Sequence, residues 1–508
     1  MAFNSNAIQV QSELGTLRRL IIHSPDGGIG KVVPGKFKEW LYDDTVHLTQ
    51  MRREYNQYIK LLLYFLDPEK IKYIADFEKR QTNQRQLDCF KPDNPNYFNS
   101  DKVLDIQLLL SRILSDNDLR KRIISAVCAW EGCSFATEKK LEAIERSTEL
   151  AKVLITGTLK QGDEKNGKFV FAPLPNFIFT RDIAIALNDH LLLSNASSPA
   201  RERESLLTKY VAHYELFKGK ENKLIEISER SNFFLLSEEE QKEHKVSIEG
   251  GDVMMIAPNH LLIGCSERTT PGAINEVIHS IFKNKGTGIE KISAISIPQH
   301  RAMMHIDTVF TQVRKDVWVL FNRFSEQIIQ QENAKRFSYF NVVSNASAVS
   351  TDYNIKISRF YKPINEAYEA NKNYQQDISG KISGIESLLR NISEEDFGID
   401  KSEVKIIYSG GNTFPYDERE QWTDACNLLA LKDGVVVGYD RNEETVKSFI
   451  QKGFNVIRAE ELFVDFEKGK QTAESIQNTL ILLPSAELSR ARGGSHCMSM
   501  PLLRDGLQ

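Results

Sequence analysis

The sequence predicts a mixed α/β fold built from repeated strand–turn–strand–helix units. Two observations support this fold class: short apolar hairpins recur four times along the 508 residues, and amphipathic helices follow at least three of them. Such a unit cannot bury its apolar face alone, so the repeats imply stacking or a closed ring. The alternative is a mixed α/β chain that contains several hairpins by coincidence.

Each predicted hairpin consists of two apolar runs on either side of a short polar turn. The hairpins cover residues 183–193, 253–263, 308–320 and 428–437. The fourth has the most explicit turn, Asp433-Gly434, a dipeptide that favours tight connections between antiparallel strands.

Helical spacing of apolar residues follows the first, second and fourth hairpins. After the second hairpin, Thr270 is suited to cap a helix and Pro271 to begin it. After the fourth, Gly453 stands where the helix is expected to end.

Three stretches depart from the repeat. Residues 51–165 contain several amphipathic stripes, one of which begins at Val103, and predict an inserted helical domain. Residues 218–246 and 325–402 are polar and match no repeat. The second of these is too long for a simple loop, so it predicts an additional insert of uncertain structure. Residues 1–508 are otherwise expected to form a single domain.

Composition excludes several classes of function. The net charge of −4, from 65 basic and 69 acidic residues, argues against a nucleic-acid-binding surface or a polybasic membrane patch. Met1–Asn6 lacks the features of a signal peptide, and no apolar window approaches the roughly 18 residues that span a bilayer. The six cysteines have no CxxC spacing and predict neither a disulfide framework nor a zinc site. The expected location is the cytoplasm.

Polar residues with catalytic potential stand immediately before three of the hairpins. Asp182 precedes the first, Glu249-Gly250-Gly251-Asp252 the second and His305-Ile306-Asp307 the third. If the units surround an axis, equivalent strand beginnings converge at one end of it, and these groups share a pocket. The alternative is that the histidine is structural and that the carboxylates cap turns or helices.

A further candidate is Cys497, close to the carboxyl end of the sequence. Two preceding glycines allow close backbone approach, and Arg492 and His496 could lower the pKa of the cysteine. A lone cysteine is more often a small buried apolar residue. Its occurrence with a histidine and several carboxylates at repeated positions favours a nucleophile.

These motifs together resemble the arginine deiminase family of the guanidine-modifying pentein superfamily. The matching segments are Gly15–Pro25, Leu41–Asp44, Phe179–Asp182, Glu249–Asp252, Ser266–Thr269, His305–Phe310, Arg419–Trp422, Tyr439–Asn442 and Gly493–Met498. They occur in order between about residue 9 and residue 505, outside 218–246 and 325–402, and the helical region matches by position only. The resemblance implies a five-bladed α/β propeller as a single catalytic domain. It also implies hydrolysis of L-arginine to L-citrulline and ammonia.

The resemblance assigns catalytic roles residue by residue. Cys497 would attack the guanidinium carbon and form a covalent thiouronium intermediate. His305 would protonate the departing ammonia and then activate water. Glu249 would orient the guanidinium, and Asp182 and Asp307 would clamp its nitrogens.

The resemblance also implies contacts with the rest of the substrate. These residues are Leu41 in the cover, Asn176, Arg201 and Arg268 at the α-carboxylate, and Phe179 and Arg492 in the pocket wall. Guanidinium chemistry agrees with such a site, because paired carboxylates match its forked N–H groups and a bound cation favours thiolate over thiol. No metal or organic cofactor is expected, since His305-Ile306-Asp307 has no second histidine at ligand spacing.

Departures from the family leave alternatives open. Ile183 replaces a usual proline, Ala491 replaces a usual glycine, and ordinary members lack residues 325–402. An amidinotransferase, or an arginine dihydrolase that continues to ornithine, would use the same reactive residues, although the contexts of Arg268 and of Gly493–Cys497 favour the deiminase. A propeller that binds a partner without catalysis is the alternative from another class. The implied partner is arginine, with no nucleic acid and no membrane, and a homo-oligomer is left open.

Overall fold

The four predicted hairpins form because each apolar run pairs with the next across a polar turn. The computed structural model describes residues 7–80, 89–159, 168–227, 237–284, 286–325, 355–363, 375–377, 382 and 384–507. The antiparallel pairs are Ala184–Leu187 with His190–Leu193, Val253–Ala257 with His260–Cys265, Phe310–Arg314 with Val317–Leu320, and Leu429–Lys432 with Val435–Tyr439. The hairpin prediction is confirmed.

Each hairpin has a third strand parallel to its second, which gives four sheets, named B to E in chain order. The third strands are Leu224–Ile225 in sheet B, Lys291–Ser296 in sheet C, Lys405–Tyr408 in sheet D and Thr479–Leu483 in sheet E. A fifth sheet, sheet A, has the same order: Leu17–Ile22 pairs antiparallel with Met500–Arg504 and parallel with Val103–Asp105.

Further strands extend two of these sheets or pair separately. Lys356–Tyr361 and Gln375–Asp377 extend sheet C, Asn455–Arg458 extends sheet E, and Thr158–Leu159 pairs with Lys168–Phe169. Within the described ranges, no closed sheet joins sheets A to E. The mixed α/β class is confirmed, and the five-bladed arrangement stays a prediction.

A parallel third strand requires a crossover connection, and helices supply it. The crossover helices are Glu202–Val211 in sheet B, Pro271–Lys283 in sheet C, Ile385–Phe397 in sheet D, and Glu443–Gln451 with Ala459–Glu467 in sheet E. The helices predicted after the first, second and fourth hairpins are therefore confirmed. Thr270 caps its helix as expected, because its hydroxyl accepts a hydrogen bond from the Ala273 amide at 3.3 Å.

Residues 51–165 are mainly helical where they are described. Their helices are Leu48–Leu66, Pro68–Arg80, Ile106–Ile113, Asn117–Trp130, Phe135–Glu142 and Ser147–Thr156. The apolar stripe predicted as helical from Val103 onward is wrong at its start, since Val103–Asp105 is a strand of sheet A. The helix begins at Ile106 because the Asp105 side chain accepts a hydrogen bond from the Gln107 amide at 2.8 Å.

The remaining described helices are short. They are Phe37–Trp40, Glu238–His244 and Tyr416–Trp422. Among the helices in the described ranges, none combines the length and apolar character that crossing a membrane requires.

Parts of the two polar stretches belong to the sheets. Residues 218–246 contribute the third strand of sheet B. Residues 325–402 contribute two strands to sheet C and the crossover helix of sheet D, in which Leu388 and Leu389 are fully buried. Much of the predicted insert, including 326–354, lies outside the described residues.

The fold places one polar or reactive residue just before the first strand of each hairpin and before the last strand of sheet A. These residues are Asp182 in sheet B, Asp252 in sheet C, Asp307 in sheet D, Asn427 in sheet E and Cys497 in sheet A. All five are buried. The candidate site is assembled from these strand beginnings.

Candidate active site

Cys497 is held from two sides by residues that precede sheets D and E. Its amide donates to Asn427 Oδ1 at 2.9 Å, and Asn427 Nδ2 donates to the sulfur at 3.1 Å. The thiol also lies 3.4 Å from Asp307 Oδ2. These contacts fix the sulfur beside a carboxylate.

The surroundings of Cys497 favour the protonated thiol. Burial and the negative charges of Asp307 and Asp182 raise the pKa of the Cys497 thiol well above its ordinary value of 9.0. The expectation that the preceding His496 lowers this pKa is wrong, because the imidazole is turned toward Asp307 instead, with Nδ1 2.9 Å from Oδ2. The protein alone therefore does not supply a thiolate.

Asp307 has one occupied and one unpartnered carboxylate oxygen. Oδ2 receives the hydrogen bond from His496, whereas Oδ1 is buried and accepts none from the described residues. Burial would raise the pKa of Asp307, but the hydrogen bond and charge of His496 outweigh it and lower the pKa. Behind His496, Arg181 Nη2 lies 2.7 Å from Nε2 of the imidazole, and Arg181 pairs with Glu13 at 2.8 Å.

A second cluster joins Asp182, Glu249 and His305 through Arg201. Arg201 Nη1 donates to Asp182 Oδ2 at 2.7 Å and to Glu249 Oε2 at 3.1 Å. His305 Nε2 lies 3.1 Å from Glu249 Oε2, and its Nδ1 lies 3.8 Å from Asp182 Oδ1. Asp182 Oδ1 is buried and, within the described ranges, accepts no hydrogen bond.

The charges of this cluster favour an imidazolium beside ionised carboxylates. Burial would lower the pKa of His305, but the charge of Asp182 and the hydrogen bond to Glu249 raise it to about 10. Burial would raise the pKa of Glu249, but Arg201 and His305 lower it well below its usual range. His305 is therefore positioned as a proton donor at neutral pH.

The Glu-Gly-Gly-Asp segment has a steric reason for its second glycine. A Cβ atom on Gly251 would lie 2.6 Å from His305 Nδ1 and 3.0 Å from Asp182 Oδ1. Any side chain here would push the imidazole away from the two carboxylates. Gly251 thus permits the close approach on which the cluster depends.

The same cluster has the spacing of a metal site. One ligand atom from each of Asp182, Glu249 and His305 lies within 4.8 Å of the others. Arg201 already donates to both carboxylates and supplies positive charge there, and a protonated His305 cannot act as a ligand. The residues therefore fit a metal poorly, and the expectation of a metal-free site stays a prediction.

The three candidates for the substrate carboxylate differ in their present contacts. Arg201 also donates from Nε to Glu204 at 2.8 Å, so most of its donors are occupied. Asn176 Nδ2 donates to the Trp40 carbonyl at 2.9 Å. Arg268 is buried with Nε unpartnered in the described structure, which leaves it with a donor to offer.

Arg492 and Phe179 lie close to the cysteine segment. Arg492 has a left-handed backbone, with φ of 63°, and its guanidinium carbon lies 3.5 Å from the centre of the Trp422 ring. Its Nε and Nη1 are buried and have no partner among the described residues. Phe179 packs against Gly493, where a Cβ atom would lie 2.3 Å from the ring.

Leu41 belongs to a segment whose next residues form ion pairs with other parts of the chain. It follows the helix Phe37–Trp40 in a left-handed conformation, with φ of 56°. Asp43 pairs with Arg301 at 2.8 Å, and Asp44 pairs with Arg490 at 3.0 Å. Two ion pairs therefore hold the residues that follow Leu41, and the assignment of Leu41 to the cover of the site stays a prediction.

An open cavity of about 1200 Å³ adjoins this region. Its wall includes Ala302, Gln421 and Trp422, and Trp422 carries Arg492 on its ring. Gln421 Nε2 donates to the carbonyls of Ala302 and Thr308, so the wall is bonded to the segment that contains His305. The cavity therefore borders Trp422 and the segment that precedes His305.

Sequence reasoning missed several residues of this site. Asn427 contacts the sulfur directly, and its position before the fourth hairpin, equivalent to that of Asp182 before the first, was a usable signal. Asp424 is buried with both carboxylate oxygens unpartnered in the described structure. No sequence pattern marks Asp424 or the Arg181–Glu13 pair.

The sequence comparisons with known proteins indicate one family. The family model described as arginine deiminase matches residues 134–504. The arginine deiminase of Borrelia garinii subsp. bavariensis is 26% identical over 506 residues, covering 99% of each chain. That of Latilactobacillus sakei is 25% identical over 507 residues, covering 99% of this chain and 100% of the other. SxtG, an amidinotransferase from Microseira wollei, aligns over 98% of both chains with 10% identity and a TM-score of 0.47.

Proposed function

Because the chain belongs to the arginine deiminase family, we propose that it hydrolyses a C–N bond of L-arginine to give L-citrulline and ammonia through a covalent intermediate on Cys497. One observation carries the proposed mechanism: Asp182 and Asp307 each keep one buried carboxylate oxygen without a partner among the described residues. A planar guanidinium offers pairs of N–H groups that match two such acceptors. Clamping by both Oδ1 atoms would set the guanidinium carbon near the sulfur.

Substrate binding would itself activate the nucleophile. The bound guanidinium brings a positive charge next to a thiol whose pKa the protein holds high, so the cation lowers that pKa and the proton leaves to solvent. The thiolate of Cys497 then attacks the guanidinium carbon and forms an S–C bond. His305 donates its proton to the departing nitrogen, the C–N bond breaks, and ammonia leaves an S-alkylthiouronium on the cysteine.

Hydrolysis of this intermediate would complete the reaction. Neutral His305 takes a proton from water, and the hydroxide attacks the same carbon. The S–C bond breaks, the thiolate is regenerated, and citrulline leaves after its O–H proton is released to solvent. Glu249 orients the imidazole through both steps, since its Oε2 lies 3.1 Å from His305 Nε2. None of these steps requires a metal or an organic cofactor.

We assign the rest of the substrate to the residues that surround this centre. Arg268 and Asn176, with the remaining donor of Arg201, hold the α-carboxylate. Phe179 and Arg492 form the wall, and Leu41 belongs to the cover. The support is the buried, unpartnered Nε of Arg268 and the hydrogen bond that joins Asn176 to the residue before Leu41.

We further propose that sheets A to E are five blades around one axis, in a single catalytic domain over 1–508 with insertions at 51–165 and 325–402. The support is the shared strand order together with direct contacts among residues from different sheets. Cys497 before sheet A contacts Asn427 before sheet E and Asp307 before sheet D. The cytoplasm is the proposed location of the enzyme.

Product stoichiometry tests the proposed function against its relatives. Purified protein is incubated with arginine, and ammonia, citrulline and ornithine are quantified over time. One ammonia per citrulline supports the deiminase. Two ammonia with ornithine would show a dihydrolase, transfer to an added amine without ammonia would show an amidinotransferase, and no reaction would favour a non-catalytic binding protein. Cys497→Ser is the matched control.

A further inference from the structure

The helix Asn117–Trp130 ends in a turn that brings two cysteines together. The Cys133 amide donates to the Cys128 carbonyl at 2.8 Å, and the Gly132 amide donates to the Ala129 carbonyl at 3.4 Å. Gly132 has a φ of 61°, the left-handed conformation that glycine adopts without strain. These two hydrogen bonds define a Schellman motif, in which the side chains at the two outer positions commonly pack against each other. The outer positions here are both cysteine.

The two cysteine side chains are in contact and differ in exposure. Their thiols share a hydrogen bond, and both are free. Cys128 is buried, whereas Cys133 is partly exposed. An S–S bond of about 2 Å needs only a further approach of two sulfur atoms that already touch. The turn is therefore built as a dithiol with one thiol that solvent can reach.

The same turn is joined to the active site through one buried ion pair. Glu131, which lies between the two cysteines, pairs with Arg203, whose side chain is only 2% exposed. The guanidinium carbon of Arg203 also lies 4.3 Å from the centre of the Phe171 ring. Arg203 belongs to the helix Glu202–Val211, which begins directly after Arg201. Arg201 in turn donates to two carboxylates of the candidate site.

We propose that Cys128 and Cys133 form a redox modification site, a dithiol that a small-molecule disulfide oxidises to an intrachain disulfide. Closure draws the two ends of the turn together and moves the Glu131 carboxylate away from Arg203. A buried cation that loses its carboxylate is costly, so the helix that carries Arg203 shifts at its start. Oxidation therefore lowers the activity of the enzyme. The effect on activity rests on the proposed function, whereas formation of the disulfide does not.

Thiol–disulfide exchange with glutathione disulfide gives a balanced reaction. The Cys133 thiolate attacks one sulfur of glutathione disulfide, a new S–S bond forms, and one glutathione thiolate leaves. The Cys128 thiolate then attacks the Cys133 sulfur, and the second glutathione thiolate leaves. The two cysteines lose two electrons and glutathione disulfide gains them. The two thiol protons end on the two glutathione molecules.

The surroundings of the dithiol set the pH dependence of this exchange. Burial and the neighbouring Cys133 raise the pKa of the Cys128 thiol to about 12. Burial also raises the pKa of Cys133 above its ordinary value of 9.0. Both thiols are therefore protonated at neutral pH, and only the thiolate attacks. The rate of oxidation should rise by about tenfold from pH 7 to pH 8.

Mass spectrometry tests the disulfide directly. Wild type, Cys128→Ser and Cys133→Ser are incubated with glutathione disulfide at pH 8 and digested with trypsin without reduction. In the wild type, the peptide that contains both cysteines should lose two hydrogen atoms and carry no glutathione. Cys128→Ser should retain one glutathione on Cys133, because no second thiol displaces it, and Cys133→Ser should stay unmodified at Cys128. A wild type that keeps glutathione on Cys133 and forms no disulfide would overturn the dithiol.

Arginine turnover tests the link to the active site. The kcat/KM of the oxidised wild type should be about threefold or more below that of the reduced form, and dithiothreitol should restore it. Cys133→Ser, treated in the same way, should keep its activity. Glu131→Gln should have the lower activity in both states, because its ion pair is already lost.

The outcomes separate the modification from the proposed function. An equal loss of activity in Cys133→Ser would assign the inactivation to another cysteine, such as Cys497, and overturn the link. A complete disulfide with unchanged activity would also overturn it. A reduced wild type that forms no citrulline would refute the proposed reaction, and the mass of the peptide would still decide whether the dithiol closes.

Discussion

The two ends of the candidate site are built differently. At the guanidinium end, around Cys497, each clamping carboxylate has one oxygen bound within the protein, in Asp307 by His496 and in Asp182 by Arg201, and a second, buried oxygen without a partner among the described residues. At the head-group end, which the proposed function assigns to the α-carboxylate, the buried Arg268 has an Nε atom without a partner in the described structure.

This difference separates the proposed catalytic groups from the groups proposed to recognise the rest of the substrate. Groups that take part in bond breaking are held in place before the substrate arrives, so their geometry is fixed by the fold. The unpartnered oxygens of Asp182 and Asp307, like the unpartnered donor of Arg268, would be satisfied only by the bound substrate. Changes at the guanidinium end should therefore damage the reaction for every substrate, whereas changes at the head-group end should be selective.

The largest effect is expected at the nucleophile. Cys497→Ser should lower kcat by on the order of 10⁴-fold or more, because an alcohol is a far weaker nucleophile than a thiolate at neutral pH. Arginine should still bind, since both carboxylate clamps remain, and calorimetry can measure this. Retention of more than about a hundredth of the wild-type rate would exclude covalent catalysis by this cysteine.

Asp307→Asn should separate reactivity of the sulfur from turnover. The change removes a clamp and should lower kcat/KM by about 10³-fold. It also removes the nearest negative charge that raises the pKa of Cys497, so iodoacetamide should alkylate this thiol faster at pH 8 than in the wild type. Alkylation is measured on the Cys497 peptide by mass spectrometry, with the buried Cys426 as internal reference. Slower alkylation with normal turnover would contradict the role given to Asp307.

Arg268→Ala should give a selective loss at the head-group end. We expect kcat/KM for arginine to fall by about 10²-fold, because binding energy at the carboxylate positions the guanidinium over the sulfur. Residual activity on agmatine, which lacks the carboxylate, should hardly change. Equal losses for both compounds would indicate a general effect on folding or on the local field.

Asn427→Ala tests the contact that the sequence did not reveal. Loss of the hydrogen bond to the sulfur should lower kcat by about tenfold and leave the KM for arginine nearly unchanged. Asn455→Ala, at an exposed position in sheet E, serves as the control. A change in KM alone would place Asn427 in substrate binding and not beside the nucleophile.

The smallest effect is expected from metal removal. Dialysis against EDTA should leave activity unchanged, because Arg201 occupies the carboxylates of the one residue group with metal-like spacing in the described structure. Activity that is lost on chelation and restored by a divalent cation would show that a metal displaces Arg201.

Local patterns explain which parts of the fold could be predicted. The hairpins could be predicted because continuous apolar runs and turn residues such as Asp433-Gly434 act over a few residues. The crossover helix Ile385–Phe397 was assigned to an insert, because more than sixty residues separate it from the hairpin that it follows. The strand Val103–Asp105 was interpreted as helical because its apolar residues continue the spacing of the next helix.

The sequence predicted which residues belong to the site better than it predicted how their side chains are oriented and buried. The repeat identifies one group of candidate residues, because they stand at repeated positions: Asp182, Glu249, His305, Asp307 and Cys497. The direction in which His496 points depends on the buried pair of Arg181 and Glu13, which comes from distant parts of the chain. Burial of an unpartnered Asp424 is likewise a property of packing and has no local pattern.

Sheet A has a consequence for when the chain becomes active during its synthesis and folding. Leu17 pairs with Arg504, and the buried Arg504 also donates to the carbonyls of Gly15 and Ala430. Cys497 precedes the strand that makes this pairing, so the nucleophile is placed only after synthesis has passed residue 504 and the strand has joined one made nearly 500 residues earlier. Contacts so distant in sequence form slowly. A chain that stops before residue 504 would therefore be inert, because the strand that follows the nucleophile could not pair.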